Sequence, residues 1–395
     1  MAKAPGDARM APPRVRGAVC GINDLPDDVL LRAICLLDAR QLVQTCVLSW
    51  RWRDLWRSVP RINASRHEFE GMADTDEECD ALFKKFVNRF MMLRNPVALD
   101  EFRLWYHVPD ESQRDPRADS KDANLWIRHA LQCNARSVKV SVWVNELHLN
   151  PAVFASKCFL TNLQLSCVFV IPGFFRSLQK GCTVLERLIL RDCTIADPEI
   201  SSQTLKVLTI DAGCHCTFDG QASISIPSLI DISFFAYASL PLLNNMESLL
   251  TAEFGTGDDE GDDICEFLRG LSGVTDLEFY YRGTTMNLQW CPKFNNLTTL
   301  TLGKWCLHPD FNPLILFLQN SPNLVELTLY LRKLSPSTNQ RIIGEPKERL
   351  FTCEHLEIVE IVCPDMDGSE DDPVVDSLEK LLNANGVPSD IIDKI

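Results

Sequence analysis

The stretch DLPDDVLLRAICLLDARQLVQTCVLSWRWRDLWRSVP, residues 24–60, decides how the rest of the chain is organised. Pro26 suits the first position of a helix, because its missing N–H would have no partner there. Asp27 and Asp28 follow in the first turn, where negative charge meets the positive end of the helix dipole. Five apolar residues then recur at helical spacing: Val29, Leu30, Ala33, Ile34 and Leu37. The pattern predicts a short amphipathic helix.

Two more short helices are predicted in the same stretch. Asp38 can cap the second helix and Ser49 the third. Trp52, Leu55 and Trp56 would share one face of the third helix, since residues three and four apart are neighbours on a helix surface. A unit of about 40 residues lies near the lower limit for independent folding, so part of its apolar surface should pack against a partner. That partner is another protein or, for a generic helical subdomain, the rest of the same chain.

The order of residue types in this stretch resembles the F-box of plant F-box proteins. The matching residues are 25–30, Ile34, Leu37, 46–49 and 51–56. Two positions depart from the family: Asp38 stands where the family often has proline, and Trp50 where a basic residue is common.

The resemblance implies that the chain binds a Skp-type adaptor and, through it, a cullin–RING ubiquitin ligase. Nine residues are candidates for the adaptor-binding unit: Leu25, Pro26, Val29, Leu30, Ile34, Leu37, Trp52, Leu55 and Trp56. The more exposed of them should contact the adaptor, and the others should build the fold. The alternative is a ligase-independent protein-binding or ligand-sensing module whose F-box no longer engages a ligase.

Composition and charge exclude several classes of protein. Of 395 residues, 46% are hydrophobic and 24% are charged, as in an ordinary globular protein. The net charge of −15 argues against a nucleic-acid partner, and no apolar run approaches the ~18 residues that cross a membrane. Sixteen cysteines in a long chain with no recognisable signal peptide indicate free thiols in a reducing compartment. We therefore expect a protein of the nucleus, the cytoplasm or both.

A second pattern recurs from Leu99 onward: a leucine, two variable residues, an apolar residue, one variable residue and another apolar residue. Between Leu160 and Leu324 its starts lie 20–27 residues apart, close to the ~20–29 residues of leucine-rich repeats. The ten starts are Leu99, Leu160, Leu185, Leu205, Leu229, Leu249, Val274, Leu297, Leu324 and Leu356. Each repeat should contribute one short strand to a curved solenoid. The alternative is a leucine-rich α/β domain without repeat symmetry.

These patterns predict an α/β chain in which a small N-terminal three-helix F-box precedes an irregular leucine-rich-repeat solenoid. The predicted divisions are a disordered tail at 1–20, the F-box at 21–62, a helical linker at 63–95, the solenoid at 96–355 and a C-terminal segment at 356–395. In the C-terminal segment, LEIVEI at 356–361 followed by LEKLL at 378–382 resembles the FBD-type segment of plant F-box proteins.

Four local elements are predicted outside the F-box. The linker should contain a helix at 81–93, and the solenoid should contain a loop at 109–122, a short helix at 126–131 and an insertion around 336–346. A last helix at 374–384, which Gly386 would terminate, should close the open end of the solenoid.

No constellation of catalytic residues is apparent, so we predict a non-catalytic protein without a cofactor. The cluster Cys214-His215-Cys216 has the residue types of metal ligands, but no second cluster follows at zinc spacing. Acidic runs at 258–263 and 365–372 lack the glycine and the closing glutamate of a calcium loop. We interpret all three as structural or solvent-exposed segments.

The variable residues between the apolar strand positions should face the concave side of the solenoid, which is the usual binding surface of such repeats. Nine of them are candidates for binding a target protein: Arg187, Arg191, Asp231, Glu253, Asp276, Glu278, Tyr280, Glu326 and Tyr330. This surface is basic in the early repeats and acidic in the later ones, so the target should present a basic patch to the later repeats. The alternative is that these carboxylates only keep the surface soluble.

Overall fold

The computed structural model describes residues 21–107, 116–143, 146–217, 221–236, 240–256, 262–281, 288, 290–307, 310–331, 351–363 and 373–395. The predicted tail at 1–20 and the predicted insertion at 336–346 lie outside these ranges. The helices described are α1 (Asp27–Ile34), α2 (Ala39–Gln44), α3 (Asp76–Leu93), α4 (Pro116–Gln132), α5 (Phe174–Gly181), α6 (Asp262–Gly270), α7 (Asn312–Asn320) and α8 (Pro373–Ala384). Across the described ranges, no helix has both the length and the apolar character that a bilayer crossing needs.

One large parallel sheet forms the body of the molecule, and its strands follow one another in chain order. Within the described ranges this sheet has thirteen strands: β1 (Arg61–Ser65), β2 (Glu101–His107), β3 (Ser137–Trp143), β5 (Asn162–Ser166), β7 (Arg187–Arg191), β10 (Val207–Ile210), β13 (Asp231–Ala236), β15 (Thr251–Thr256), β16 (Asp276–Tyr281), β17 (Thr299–Gly303), β18 (Glu326–Tyr330), β19 (Ile358–Val362) and β20 (Ile392–Lys394).

Two smaller parallel sheets are formed by strands that lie between those of the main sheet along the chain. One contains β4 (Leu147–His148), β6 (Val168–Val170), β8 (Thr194–Ile195) and β11 (His215–Cys216). The other contains β9 (Glu199–Ser201), β12 (Ser223–Ser225) and β14 (Leu242–Asn244). The sheets described are open, and the α/β class with N-terminal helices is confirmed.

The core of the main sheet follows from the alternation of side chains along each strand. In β7, for example, Leu188 and Leu190 at the second and fourth positions are fully buried, whereas Arg187 and Arg191 are exposed. The in-register pairing stacks the buried positions of all neighbouring strands into continuous apolar rows, as in Leu188 beside Leu208. Each such leucine contributes about 1.5–3 kcal/mol by leaving water. The first, third and fifth positions form the opposite side, which we call the open face.

The buried side of the sheet packs against helices through aromatic side chains. Phe267 of α6 lies 5.0 Å from Phe254 of β15 between ring centroids, and Phe317 of α7 lies 6.4 Å from Phe279 of β16. Near the other end, Phe83 of α3 contacts Trp126 of α4 with centroids 5.7 Å apart. The helices therefore cover one side of the sheet.

The F-box stretch contains two α-helices and not the three that the sequence predicts. After α2, the backbone makes short 3-10 turns at Thr45–Val47 and Leu55–Ser58. The N–H of Trp52 donates to the carbonyl of Ser49 at 3.1 Å, which is a turn and not the start of a helical ladder. These turns bury Trp52 in the core, so tertiary packing overrides the local helical pattern.

The main sheet begins earlier than the predicted start of the solenoid at residue 96. Its first strand, β1, spans the predicted boundary between the F-box and the helical linker. Strand β1 pairs in parallel with β2, with Ile62 opposite Phe102. Helix α3 then begins at Asp76, five residues before the predicted helix, because the hydroxyl of Thr75 caps it by accepting from the N–H of Glu78 at 3.2 Å. The segment 63–95 is therefore partly strand.

Helix α4 corrects the predicted loop at 109–122 and the predicted short helix at 126–131. From Pro116 the chain is helical without interruption as far as Gln132, and residues 108–115 lie outside the described ranges. The buried residues of α4 recur at helical spacing: Ser120, Ala123, Trp126, Ile127, Ala130 and Leu131. Small residues occupy half of this stripe, which weakened its apolar signal in the sequence.

The C-terminal helix is where the sequence predicts it, but it is not the last element of the sheet. Helix α8 starts at Pro373, and Gly386 follows it with φ +93°, the left-handed conformation that ends a helix at glycine. The chain then returns as β20, which pairs with β19 through Ile392 opposite Val359. The edge of the main sheet is therefore a strand that the sequence pattern did not reveal.

Candidate functional site

The nine residues predicted for the adaptor-binding unit fall into three groups. Five are buried and build the core of the unit: Leu30, Ile34, Trp52, Leu55 and Trp56. Leu25 and Leu37 are partly buried against that core. Pro26 and Val29 are exposed. The apolar stripe thus mostly supplies structure, and few of its members are available to a partner.

A second set of apolar side chains in the same unit is exposed and was missed by the sequence reasoning. Its members are 57–85% exposed, and they are Ile22, Leu36, Val47, Leu48 and Trp50. Large apolar side chains gathered on one small unit indicate a surface that a partner covers. The available signal was that Leu48 and Trp50 are large apolar residues outside the periodic apolar positions of the predicted helices.

Arg51 brings the two exposed segments of the unit together. Its Nε donates to Oδ1 of Asp27 at 2.8 Å, and its Nη2 lies 2.5 Å from the same oxygen. It also donates to the backbone carbonyl of Leu25. These bonds hold the turn that carries Leu48 and Trp50 beside the start of α1. We call Pro26, Val29, Val47, Leu48 and Trp50 the F-box surface.

Hydrogen bonds attach the F-box unit to the rest of the chain. They join side chains of later residues to backbone groups of the unit. The carboxylate of Glu68 accepts from the backbone N–H groups of Arg40 and Gln41 at 3.2 and 3.3 Å, which caps α2 from a distant segment. Burial raises the pKa of Glu68, although the Arg40 N–H opposes this rise. Arg94 donates to the carbonyl of Val59 at 2.8 Å.

Aromatic packing makes the same connection. The rings of Trp56 in the F-box and Phe90 in α3 lie 5.1 Å apart between centroids. Because β1 begins within the last residues of the F-box and belongs to the main sheet, the F-box surface and the open face have a defined relation to each other.

All nine predicted target-binding residues lie on the open face. Four are exposed, namely Arg187, Arg191, Glu326 and Tyr330. Five are half-buried, namely Asp231, Glu253, Asp276, Glu278 and Tyr280. The register places Arg187 level with Asn162, and it places Asp231, Asp276 and Glu326 at the same level in later strands.

The early half of the open face is basic, and its cations neutralise the carboxylate among them. Arg103 and Lys139 lie 2.5 and 2.9 Å from Oε1 of Glu101. Burial raises the pKa of Glu101, but the hydrogen bonds and charges of these two cations outweigh it and lower the pKa overall. Arg61 lies opposite Glu101 in β1. Of these cations, Arg103 could have been predicted from its place in the first repeat.

The later half of the open face groups carboxylates with one another. Glu253 accepts from the hydroxyl of Ser233 at 3.1 Å, and Glu278 accepts from the hydroxyl of Tyr280 at 2.8 Å. Burial raises the pKa of Glu253, and the charges of Glu278 and Asp231 raise it further. Burial, together with the bond and charge of Glu278, raises the pKa of Tyr280.

The carboxylates of this acidic half have no ion pairs with lysine or arginine among the described residues. Within the described ranges, no lysine or arginine forms an ion pair with six of its carboxylates, namely Asp231, Glu253, Asp276, Glu278, Glu326 and Glu360. The two halves of the open face therefore differ in sign and in whether their charges are compensated internally.

The candidate metal ligands at 214–216 differ in their surroundings. Cys214 is buried, its thiol donates to the carbonyl of Leu190, and its sulfur accepts from the N–H of Cys193, both at 3.4 Å. His215 is exposed. In the part of the chain that the structure describes, no three His, Cys, Asp or Glu side chains converge as a metal site. Of the acidic runs at 258–263 and 365–372, residues 258–261 and 365–372 lie outside the described ranges.

Comparisons with known proteins agree with these features. Residues 22–63 match the F-box domain model. An FBD-associated F-box protein of Arabidopsis thaliana is 25% identical over 89% of this chain and 86% of its own length. An F-box/LRR-repeat protein of the same plant is 27% identical over 78% of this chain and 84% of its own length.

A third relative combines the two kinds of name. It is an F-box/FBD/LRR-repeat protein of Arabidopsis thaliana, 24% identical over 85% of this chain and 84% of its own length. The predicted resemblance is therefore confirmed: the chain carries an F-box domain at residues 22–63 and is similar, along most of its length, to plant F-box proteins named for leucine-rich repeats and FBD segments.

Proposed function

We propose that this chain is the substrate-recognition subunit of an SCF-type cullin–RING ubiquitin ligase. Its F-box surface would bind a Skp-type adaptor that links it to the cullin, and its open face would bind a target protein. The observation that carries the proposal is the exposed apolar surface of a unit that matches the F-box domain. Such a surface on a unit whose core is already complete supports a protein partner.

We further propose that the sheet is a leucine-rich-repeat solenoid. One strand of the main sheet follows every 20–27 residues between the repeats that start at Leu160 and Leu324, and consecutive strands pair in parallel and in register. A stack in which each repeat contacts its neighbours is the architecture of solenoids. Its open face is then the surface available for a target.

The mechanism of such a subunit is proximity and not catalysis. The chain would hold the ligase at one end and the target along the sheet, which raises the local concentration of acceptor lysines near the ligase. The attachment of the F-box to β1 and α3 supports a fixed spacing between the two bound partners. Transfer of ubiquitin itself would be performed by the other subunits.

We also propose that the protein acts in the nucleus, the cytoplasm or both. None of the fifteen cysteines in the described ranges is in a disulfide, and many are buried as small apolar side chains. Reduced cysteines in this number suit a reducing compartment. Fluorescence microscopy of the tagged full chain tests this assignment, and accumulation in the secretory pathway would contradict it.

The adaptor test uses variants of exposed residues, which leave the core intact. We expect the full chain to capture a purified Skp-type adaptor, and Leu48→Asp/Trp50→Asp to weaken that binding at least about tenfold, because charge would be placed in an apolar interface. The matched control is Leu125→Asp, an exposed apolar residue of α4. Calorimetry with purified proteins measures the affinities, and circular dichroism checks the fold.

The outcomes separate the two candidate functions. Binding by the wild type and the control, with loss in the double variant, supports the ligase subunit. If the folded wild type captured neither adaptor nor cullin, the ligase-independent binding module would replace our proposal. Equal losses in the control and the double variant would show that the F-box surface is not the adaptor site.

A further inference from the structure

Five neighbouring strands of the main sheet carry an alternating pattern on the open face. The strands β13, β16 and β18 have an acid at the first position and an aromatic residue at the fifth. These pairs are Asp231 with Phe235, Asp276 with Tyr280, and Glu326 with Tyr330. The strands between them, β15 and β17, have threonine and glycine at the same two positions, namely Thr251 with Gly255, and Thr299 with Gly303.

The glycines leave space between the aromatic side chains. Adjacent strands lie about 4.8 Å apart, so strands that carry aromatic residues lie about 10 Å apart with a glycine between them. The first space is filled by Phe235, since a Cβ on Gly255 would meet its ring at 2.5 Å. The ring of Phe235 reaches Tyr280, with centroids 6.2 Å apart and planes at 26°.

The second space lies above Gly303, between Tyr280 and Tyr330, and we call it the tyrosine slot. Apart from the chain neighbours of Gly303, the nearest described atoms belong to the indole of Trp305, which lies 3.0 Å from where a Cβ on Gly303 would stand. Tyr330 is 40% exposed, so its ring is available at the side of the slot. The slot thus has two tyrosine walls, and the backbone of Gly303 together with the edge of the Trp305 indole forms its floor.

One carboxylate adjoins the tyrosine slot, and two more lie farther along the same strands. Glu278 accepts from the Tyr280 hydroxyl at 2.8 Å. Asp276 and Glu326 lie at the first positions of the strands that carry the two tyrosines, about 13 Å along the strands from them. The negative charge nearby raises the pKa of Tyr280, after burial and the Glu278 bond. Aromatic faces flanked by carboxylates attract cations through both the ring quadrupole and the net charge.

We propose that the tyrosine slot and its carboxylates bind an extended basic segment of a partner protein. A lysine or arginine side chain of the segment lies between Tyr280 and Tyr330 above Gly303. An extended chain advances about 10 Å in three residues, which matches the two-strand distance between Asp276 and Glu326. Two further basic residues of the segment, three positions apart, therefore meet Asp276 and Glu326, which lie about 13 Å along the strands from the slot. The role of this segment in target selection rests on the proposed function, but its binding does not.

The test measures binding of a synthetic peptide to the full chain by fluorescence anisotropy. The probe has lysine at every third position with glycine and serine between, and the control peptide has glutamate in place of lysine. We expect saturable binding of the lysine peptide alone, weakening as salt rises. Glu278→Lys/Glu326→Lys should reduce the affinity at least about tenfold. The matched control Glu199→Lys/Glu247→Lys changes two exposed carboxylates outside the open face and should stay within about twofold.

A second pair of variants separates the slot from general charge. Tyr330→Leu keeps apolar bulk but removes the aromatic wall, and it should weaken the lysine peptide about threefold to tenfold. Tyr330→Phe keeps the wall and should bind as the wild type does. Equal loss in both charge-reversal variants, or no effect of Tyr330→Leu, would overturn the proposal, as would absence of lysine-peptide binding at low salt.

The same variants distinguish this proposal from the ligase function. Adaptor binding through the F-box surface should be unchanged in Glu278→Lys/Glu326→Lys. If the full chain binds the lysine peptide but no adaptor, the result supports the basic-segment site and contradicts the proposed ligase function. If it binds the adaptor but no lysine peptide, the result supports the ligase function and contradicts the basic-segment site.

Discussion

The two halves of the open face share one backbone design and treat their charged residues in opposite ways. In the early half, Glu101 lies between Arg103 and Lys139, and these cations hold its pKa below the ordinary value despite burial. In the later half, burial and neighbouring carboxylates hold the pKa of Glu253 above it. The buried positions are apolar in both halves. The fold therefore dictates the second and fourth strand positions and leaves the others to function.

The largest effect should be the same in both halves, because it comes from the shared core. We expect Leu190→Ala in the early half and Leu302→Ala in the later half each to cost about 2–5 kcal/mol, since both side chains are fully buried. Urea unfolding of the full chain measures the losses. A cost below about 1 kcal/mol at either site would show that the two halves do not share one continuous core.

A smaller effect should appear when the cations of the early half are removed. The double variant Arg103→Met/Lys139→Met leaves the half-buried Glu101 without its partners and should cost about 1–3 kcal/mol at neutral pH. Lys206→Met is the control, because the Lys206–Glu186 pair is exposed at both ends and should be worth less than about 1 kcal/mol. Equal losses of stability in the double variant and the control would mean that the pairing of Glu101 with its two cations stabilises the fold no more than an exposed ion pair does.

The dependence of stability on pH should have opposite signs in the two halves. The lowered pKa of Glu101 means that its charged form stabilises the fold above its ordinary pKa, and this contribution disappears as the pH falls through the lowered value. The raised pKa of Glu253 means the reverse: its stabilising contribution is present at low pH and is lost as the pH rises through the raised value.

Neutral variants make this difference measurable. At pH 7 we expect Glu101→Gln to lower the unfolding midpoint and Glu253→Gln to raise it, with both differences shrinking toward pH 3 as the carboxyls become protonated. Thermal unfolding across this pH range checks the signs. The same sign for both variants at pH 7 would contradict the contrast between the two halves.

The smallest effect should come from an exposed charge at the boundary of the halves. Arg191 lies 3.8 Å from Asp211, and both side chains are substantially exposed, so Arg191→Gln should change stability by less than about 0.5 kcal/mol. Urea unfolding measures it beside Leu190→Ala, its neighbour in β7. A loss above about 1 kcal/mol would show that open-face charges hold the fold.

Particular elements show how much of the fold could be predicted from the sequence. The F-box was identified from the order of its residues, and the strands starting after Leu185, Leu205 and Leu324 lie where the repeat pattern predicts them. Helix α4 was underestimated because serine and alanine form much of its buried stripe. The third F-box helix was predicted from the spacing of Trp52, Leu55 and Trp56, but tight turns bury the same residues.

The exposed residues of the F-box show why the rest needed the structure. Neither Leu48 nor Trp50 is among the nine residues predicted to bind the adaptor, because no helical periodicity marks them, yet both are exposed. Periodicity identifies residues that face a core, because the core imposes the period. A surface for a partner follows the shape of that partner, so its residues carry no internal period.

The sequence by itself determined the F-box, the alternation of buried and open positions, and the change from basic to acidic charge along the repeats. These features are local, since side chains alternate along a strand and each charge belongs to its own residue. Only the tertiary structure decided that Phe235 covers Gly255, whereas Gly303 lies beside the edge of the Trp305 indole and between the strands that carry two tyrosines. That difference depends on side-chain packing between residues about 25 positions apart in sequence, which the parallel register brings side by side.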